Sequence, residues 1–277
     1  MKDSILPTVK TFGKNMLREI DEDDLIAYAY QLTYSLLLAI FPFLIFLFTL
    51  IGYSDLDSAA LLDSLDTSLP ASIYSLISEI LTDVIDNERG GLLSFSVFLA
   101  IYSASVGFRA FMKGANKALG IEDERHIVLK YALSVVFVII FALAILIALV
   151  SLVFGGQILN LLADFIPIIP LSGLINVIRT MLPIGLIFLI ITGFYIFVPA
   201  KRLKLKQAIP GSLFFTLSWT GFTFLFQFYV ENFSNYSRFY GALGAVVALM
   251  LWFLLTSIML LVGVEINNVL QEMKKGS

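Results

Sequence analysis

The sequence predicts an all-α integral membrane protein: six transmembrane helices, with amphipathic N-terminal and external helices around them. Composition, the length of the apolar runs and the placement of basic residues each point there. Of 277 residues, 59% are hydrophobic and 14% charged, against about 45–50% and about 25% in a soluble domain. Several apolar runs approach the ~20 residues that a helix needs to cross a hydrocarbon core. They place spans at about 28–52, 91–110, 128–154, 177–199, 208–230 and 241–266. Six crossings put both termini on one side. Fifteen of the 18 Lys and Arg then share that side, and Arg89, Arg179 and Arg238 fall opposite. Because Lys and Arg collect in cytoplasmic loops, both ends are expected in the cytoplasm.

Residues 1–27 form a polar, amphipathic segment without the apolar core and cleavage site of a secretory signal. Its end, "EIDEDD", offers Asp23 or Asp24 as an N-cap for the first span, where a carboxylate accepts free amide protons at the positive helix end. Within that span Tyr28, Gln31, Ser35 and Pro42 share one helical face, which predicts a polar seam turned from lipid. Pro42 leaves the carbonyl of Leu38 without its donor and predicts a kink. Such a helix either lines a path or is an ordinary structural element; both readings stand.

The connection 53–90 carries eight acidic residues and one basic one. Its Ile73, Leu76, Ile77, Ile80, Leu81 and Val84 recur at helical spacing, which predicts an amphipathic external cap, with a gate or partner surface as the other reading. Its acidity suits it poorly to anionic lipid. The segment 155–173, with Pro167 and Pro170 in apolar surroundings, is expected to be re-entrant or interfacial.

No charge falls between Gly241 and Val264, and then comes Glu265. Twenty-four residues at about 1.5 Å each give about 36 Å, more than the ~30 Å core, so Glu265 is expected near the inner interface. Arg109 ends the second span on that side, with Asp24, Gln31, Asn116 and Asn267 at comparable depth. An Arg109–Glu265 ion pair would lock two helix ends, for modest gain at a wet interface. Alternatively these groups bind an anionic headgroup or carry a proton, the usual meaning of ionisable residues at membrane depth. Gly241, Gly244, Ala245 and Ala248 make small-xxx-small pairs that predict close helix packing. Residues 28–270 would form the membrane domain and 271–277 a cytoplasmic tail.

Several classes are excluded. Without cysteine there is no disulfide, thiol chemistry or cysteine-bound metal, and His126 is the sole histidine. A nuclease needs a water-facing basic surface with acid/base or metal groups; here the net charge is −3 and the basic residues sit in short orienting loops. Glycine-rich nucleotide motifs are missing. The expectation is a protein that is not an enzyme, with no cofactor, no metal and no nucleic-acid partner.

From "DDLIAYAYQLTYSLLLAIFPFL" to its end, the chain resembles the YihY/BrkB family of bacterial inner-membrane proteins, historically mislabelled ribonuclease BN. "VPA" at 198–200, "PGS" at 210–212, "YGALGAVVALMLWF" at 240–253 and "LVGVEINN" at 261–268 carry the resemblance. It implies a multi-pass inner-membrane protein, some of whose relatives are tied by name to ribonuclease or serum resistance and others to lipid or lipopolysaccharide traffic. The family positions carried over are Asp24, Tyr34, Pro42, Arg109, Asn116, Pro199, Pro210, Gly211, Tyr240, Gly241, Gly244, Trp252, Gly263, Glu265 and Asn267. The family supplies no established catalytic role for any of them. With its short tail after Glu265, the chain is expected to carry no soluble enzymatic extension there. The expected function is a secondary transporter or lipid-translocating protein for an amphipathic or anionic substrate. A non-catalytic scaffold of envelope machinery is the alternative, with a pore third. Expected partners are membrane lipids, a lipid or small anionic substrate, and a second copy or an envelope protein.

Overall fold

The computed structural model describes residues 5–52, 90–141, 143, 171–232 and 242–275. They form seven helices: α1 (Ile5–Glu22), α2 (Leu25–Gly52), α3 (Gly90–Ala118), α4 (Ile127–Phe141), α5 (Leu171–Phe197), α6 (Leu205–Asn232) and α7 (Ala242–Lys275). No strand occurs among the described residues. The external cap expected at 53–90, apart from Gly90, most of the segment expected to be re-entrant, and Gly241 lie outside them.

Helix α7 is the hub, packing against α1, α2, α3 and α6, while α2 packs along α3 and α5 along α6. Apolar spacing makes these contacts. Leu25, Ala29, Leu32 and Ala39 bury one stripe of α2, and Ala110, Phe111, Ala115 and Ala118 one stripe of α3. Aromatic rings fill the gaps: Phe108, Phe137, Phe141 and Phe194 join α3, α4 and α5, and Trp219 and Trp252 join α6 to α7. Opposite faces stay apolar yet exposed, as at Leu213, Leu217, Phe224, Leu225 and Phe228 on α6 and Val128, Val136 and Ile140 on α4. Contiguous apolar surface of that kind is foreign to a water-soluble monomer and ordinary against lipid. Leu205–Tyr229 and Val246–Lys275 are each long and apolar enough to cross a bilayer.

Two boundaries differ from the sequence reading. Helix α3 does not stop at Arg109 but continues to Ala118, because its last turns bury Ala115, Asn116 and Ala118 against protein. Gly120, at φ 60, then terminates it: the Gly120 amide donates to the Lys117 carbonyl and the Ile121 amide to Asn116, the paired bonds of a Schellman stop. Likewise α7 runs through the expected tail to Lys275, with Asn267 and Val269 buried below Glu265. Hydropathy marks where lipid ends, not where a helix ends. Pro42 does not interrupt α2, which continues to Gly52.

Candidate functional site

Buried polar groups gather at the end of the bundle where α1 meets α2, α3 meets α4, and α6 begins. Glu265 lies there at 0% exposure, and neither of its carboxylate oxygens has a hydrogen-bond partner. Its neighbours are acids. Oxygen atoms of Glu19, Asp23 and Glu265 all lie within 4.8 Å of one another. Glu19 lies on the stripe of α1 that also turns Phe12, Met16 and Ile20 towards the bundle, and Asp23, four residues on in the turn after α1, continues that line. The Lys117 ammonium lies 3.4 Å from Asp23, and Arg18 pairs with Glu19 and Glu22. Burial raises the Asp23 carboxyl above its ordinary range, against the pull of Lys117 and with the help of Glu19 and Glu22.

Arg109 is elsewhere. Its guanidinium donates to Ser105 Oγ at 2.8 Å and Ser134 Oγ at 3.2 Å and lies 4.0 Å over the Tyr131 ring. The Arg109–Glu265 pair that sequence depth left open is therefore not made. One turn back on α3, Ser105 meets the guanidinium first, and α4 closes over it.

Asn267 and Asn116 are fasteners. Asn267 Oδ1 accepts from the Gly211 amide at 2.7 Å, and its Nδ2 is buried without a partner. A Cβ on Gly211 would fall 1.9 Å from the Gly263 carbonyl oxygen, and one on Gly263 would fall 2.2 Å from the Tyr195 hydroxyl. Helices α6 and α7 thus cross backbone to backbone here, with Tyr195 donating to the Leu260 carbonyl at 2.7 Å. Asn116 donates to Asp123 at 3.1 Å and accepts from the Ala200 amide at 2.7 Å, tying the α3–α4 and α5–α6 connections together. Arg125 clasps Asp123 with Nε at 2.8 Å and Nη2 at 2.9 Å and reaches the Val198 carbonyl at 3.3 Å. These bonds hold the Asp123 carboxyl below the ordinary carboxylate range.

The seam on α2 divides. Ser35 is buried and donates back to the Gln31 carbonyl at 2.8 Å, and Tyr28 and Pro42 are half-buried. Gln31 is exposed, as is Tyr34 at 63%. A step of three residues turns the side chain about 60° short of a full circle, enough to carry Gln31 out of the buried stripe. Asp24, also exposed, serves as N-cap through its backbone: its carbonyl accepts from Ala27 and Tyr28 at φ 50. Of the small-residue set, Gly244 and Ala248 are half-buried, and the glycine contact visible on α7 is the deeper one at Gly263.

Between the start of α6 and the end of α7 lies a cavity of about 190 Å³ lined by Lys206, Gln207, Asn267, Gln271, Lys274 and Lys275 among others. Gln207 caps α6 by accepting from the Lys204 amide at 2.7 Å and donates to Gln271 at 2.7 Å. None of the three lysines is in an ion pair among the described residues. Sequence reasoning missed this cavity, and Glu19 and Ser105 as well. Acids on the apolar stripe of α1, and a serine one turn before an arginine, were the signals available.

Residues 16–277 match the family model described as Virulence factor BrkB. The chain belongs to the BrkB family. It is 36% identical over 246 residues to the ribonuclease-like protein YfkH of Bacillus subtilis, covering 88% of this chain and 90% of that one. It is 24% identical over 287 residues to the UPF0761 membrane protein VP0125 of Vibrio parahaemolyticus, covering 99% and 86%. A UPF0761 membrane protein of Alteromonas mediterranea is 25% identical over 290 residues, covering 96% and 94%. No solved structure matches the chain. Family and exposed apolar helices together make this a membrane protein.

Proposed function

We propose that this BrkB-family chain is a six-span protein of the bacterial inner membrane, with both ends cytoplasmic, that moves an amphipathic or anionic substrate across or within the bilayer. A phosphate-bearing lipid is the substrate class that fits best. The carrying observation is the cavity of about 190 Å³ where Lys206, Lys274 and Lys275 meet at the end of an apolar bundle, with Asn267 and Gln271 beside them. Ammonium groups take phosphate as point charges, and the exposed apolar faces of α6 and α7 suit acyl chains next to them. The site thus replaces Arg109, already occupied by serines, as the anion-handling group. Phosphate chemistry needs nothing more than binding in this role, and the reading is not enzymatic; the ribonuclease-like name of the Bacillus subtilis relative supplies no residue here that would cleave RNA.

The test is transbilayer movement of a labelled anionic phospholipid in liposomes holding the purified chain. Movement above empty liposomes, cut at least several-fold when Lys206, Lys274 and Lys275 are all changed to Ala, supports the reading. No movement of anionic or zwitterionic lipid would end it. A scaffold holding envelope machinery is the second reading, favoured by the polar clip of Asn116, Asp123 and Arg125, which fastens two connections rather than lining a path. In that case partners co-purify and no lipid moves.

A further inference from the structure

We propose that Glu19, Asp23 and Glu265 form a site for a hard divalent cation of calcium or magnesium type, which docks the amphipathic α1 onto α7. The inference stands whether or not the protein moves lipid. Three carboxylates from two different parts of the chain place oxygen atoms within 4.8 Å of one another. Proximity of acids alone says little, since exposed acids cluster freely. Glu265 is different: it is at 0% exposure, it faces Glu19 and Asp23, and neither oxygen makes a hydrogen bond of ordinary geometry, the neutral Asn268 amide being beside it but bringing no charge. An unpaired buried carboxylate is costly and calls for a counter-charge or a proton.

The neighbouring cations do not meet that need. Lys117 reaches Asp23, at 3.4 Å, and its side chain is 44% exposed. Arg18 is turned to Glu19 and Glu22 on the surface of α1. Glu272, two turns along α7, adds a further negative charge nearby. The donor set is all oxygen, which selects calcium, magnesium or manganese over softer metals. Its dimensions fit as well. Calcium holds oxygens at about 2.3–2.6 Å, so its ligands stand at most about 5 Å apart, a limit that oxygens within 4.8 Å of one another meet; magnesium, at about 2.1 Å, needs a tighter set. With only three protein ligands, the remaining positions go to water.

Such an ion would bridge Glu19 on α1, Asp23 in the turn before α2, and Glu265 in the core. It would therefore set whether the N-terminal helix lies against the bundle. The absence of cysteine lets this be read directly. The experiment titrates the full chain in detergent, stripped with EDTA, with Ca²⁺ and separately with Mn²⁺ at pH 7.5. Heat of binding and Mn²⁺ paramagnetic resonance report the ion, and spin labels at Leu17→Cys and Lys274→Cys report the α1–α7 distance. We expect one ion per chain, a narrower distance distribution on adding Ca²⁺, and at least a tenfold loss of affinity in Glu265→Gln. Glu19→Gln, on α1 at the edge of the cluster, must show the same loss, which guards against misfolding of the core variant. No stoichiometric binding, or binding equal in wild type and both variants, overturns the proposal; in the first case a proton occupies Glu265 instead.

Discussion

At the scale of single residues, the tightest constraint is the glycine crossing of α6 and α7. Gly211→Ala would drive a methyl into the Gly263 carbonyl, and neither backbone can yield without parting the helices. A loss of about 1–3 kcal/mol or more is expected, seen as a lower unfolding midpoint in detergent. Gly221→Ala on the same helix meets nothing within 4 Å. It should be neutral or stabilising by up to about 1 kcal/mol, so equal losses at both positions would refute the crossing. Arg109 gives a second prediction. Since it is bound to Ser105, Ser134 and Tyr131, Arg109→Ala and Glu265→Ala should add within about 0.3–0.5 kcal/mol. Arg109→Ala and Tyr131→Ala should instead interact, as a cation over an aromatic face does, whereas Tyr131→Phe keeps that face and should couple little. Asp123 supplies the pH dependence. Its carboxyl is held below the ordinary range by Arg125, so the folded state binds its proton less readily than the unfolded chain. Its contribution is complete above the unfolded value of about 3.9 and disappears as pH falls through the lower folded value. Asp123→Asn should therefore lower the midpoint at pH 7, by an amount that shrinks towards pH 3.

At the scale of elements, the junction of α1 and α2 shows what sequence can and cannot announce. "EIDEDD" was legible as the start of α2, but the bonds seen there run to the Asp24 backbone carbonyl, from Ala27 and Tyr28, rather than to the carboxylate that the sequence suggested. The geometry was not legible: Asp24 sits at φ 50, a left-handed conformation that aspartate tolerates and branched residues resist. Asp24→Gly should thus be neutral or mildly stabilising, whereas Asp24→Val should cost about 1–2 kcal/mol and loosen α1, measurable as faster proteolysis within residues 5–24. The same junction explains why the acid cluster escaped notice. Asp23 was legible only as a possible N-cap and Glu19 not at all; the docking of α1 on α7 is what brings them to Glu265. Helix ends beyond the lipid behaved likewise. Arg109 and Glu265 marked the edge of hydrophobicity, yet α3 and α7 continue because Asn116, Ala118 and Val269 find protein to pack on.

At the scale of the whole molecule, class and family were written in composition and in motifs such as "LVGVEINN", and Asn116, Glu265 and Asn267 were legible singly, while their arrangement was not, because the site's members come from α1, α3, α6 and α7 and no local pattern joins them. Exposed apolar faces on α4 and α6 argue for lipid around the bundle, and they do not fix how often the chain crosses it. Charge does make a commitment on that point. Basic residues at the buried polar end, among them Arg18, Lys117, Arg125, Lys130, Lys206 and Lys274, all fall on the side that positive-inside bias assigns to the cytoplasm. If six spans alternate as proposed, the lysine cavity and the acid cluster face the cytoplasmic leaflet, where anionic lipid and divalent cations are both at hand. A single cysteine placed between Asp55 and Glu88 should then react with a membrane-impermeant thiol reagent on intact cells, and one at Lys204 only after permeabilisation. With no native cysteine the background is clean. Labelling of Lys204→Cys in intact cells would turn the molecule over, placing both sites on the outer face and removing the cytoplasmic leaflet as the place where the proposed substrate is taken up.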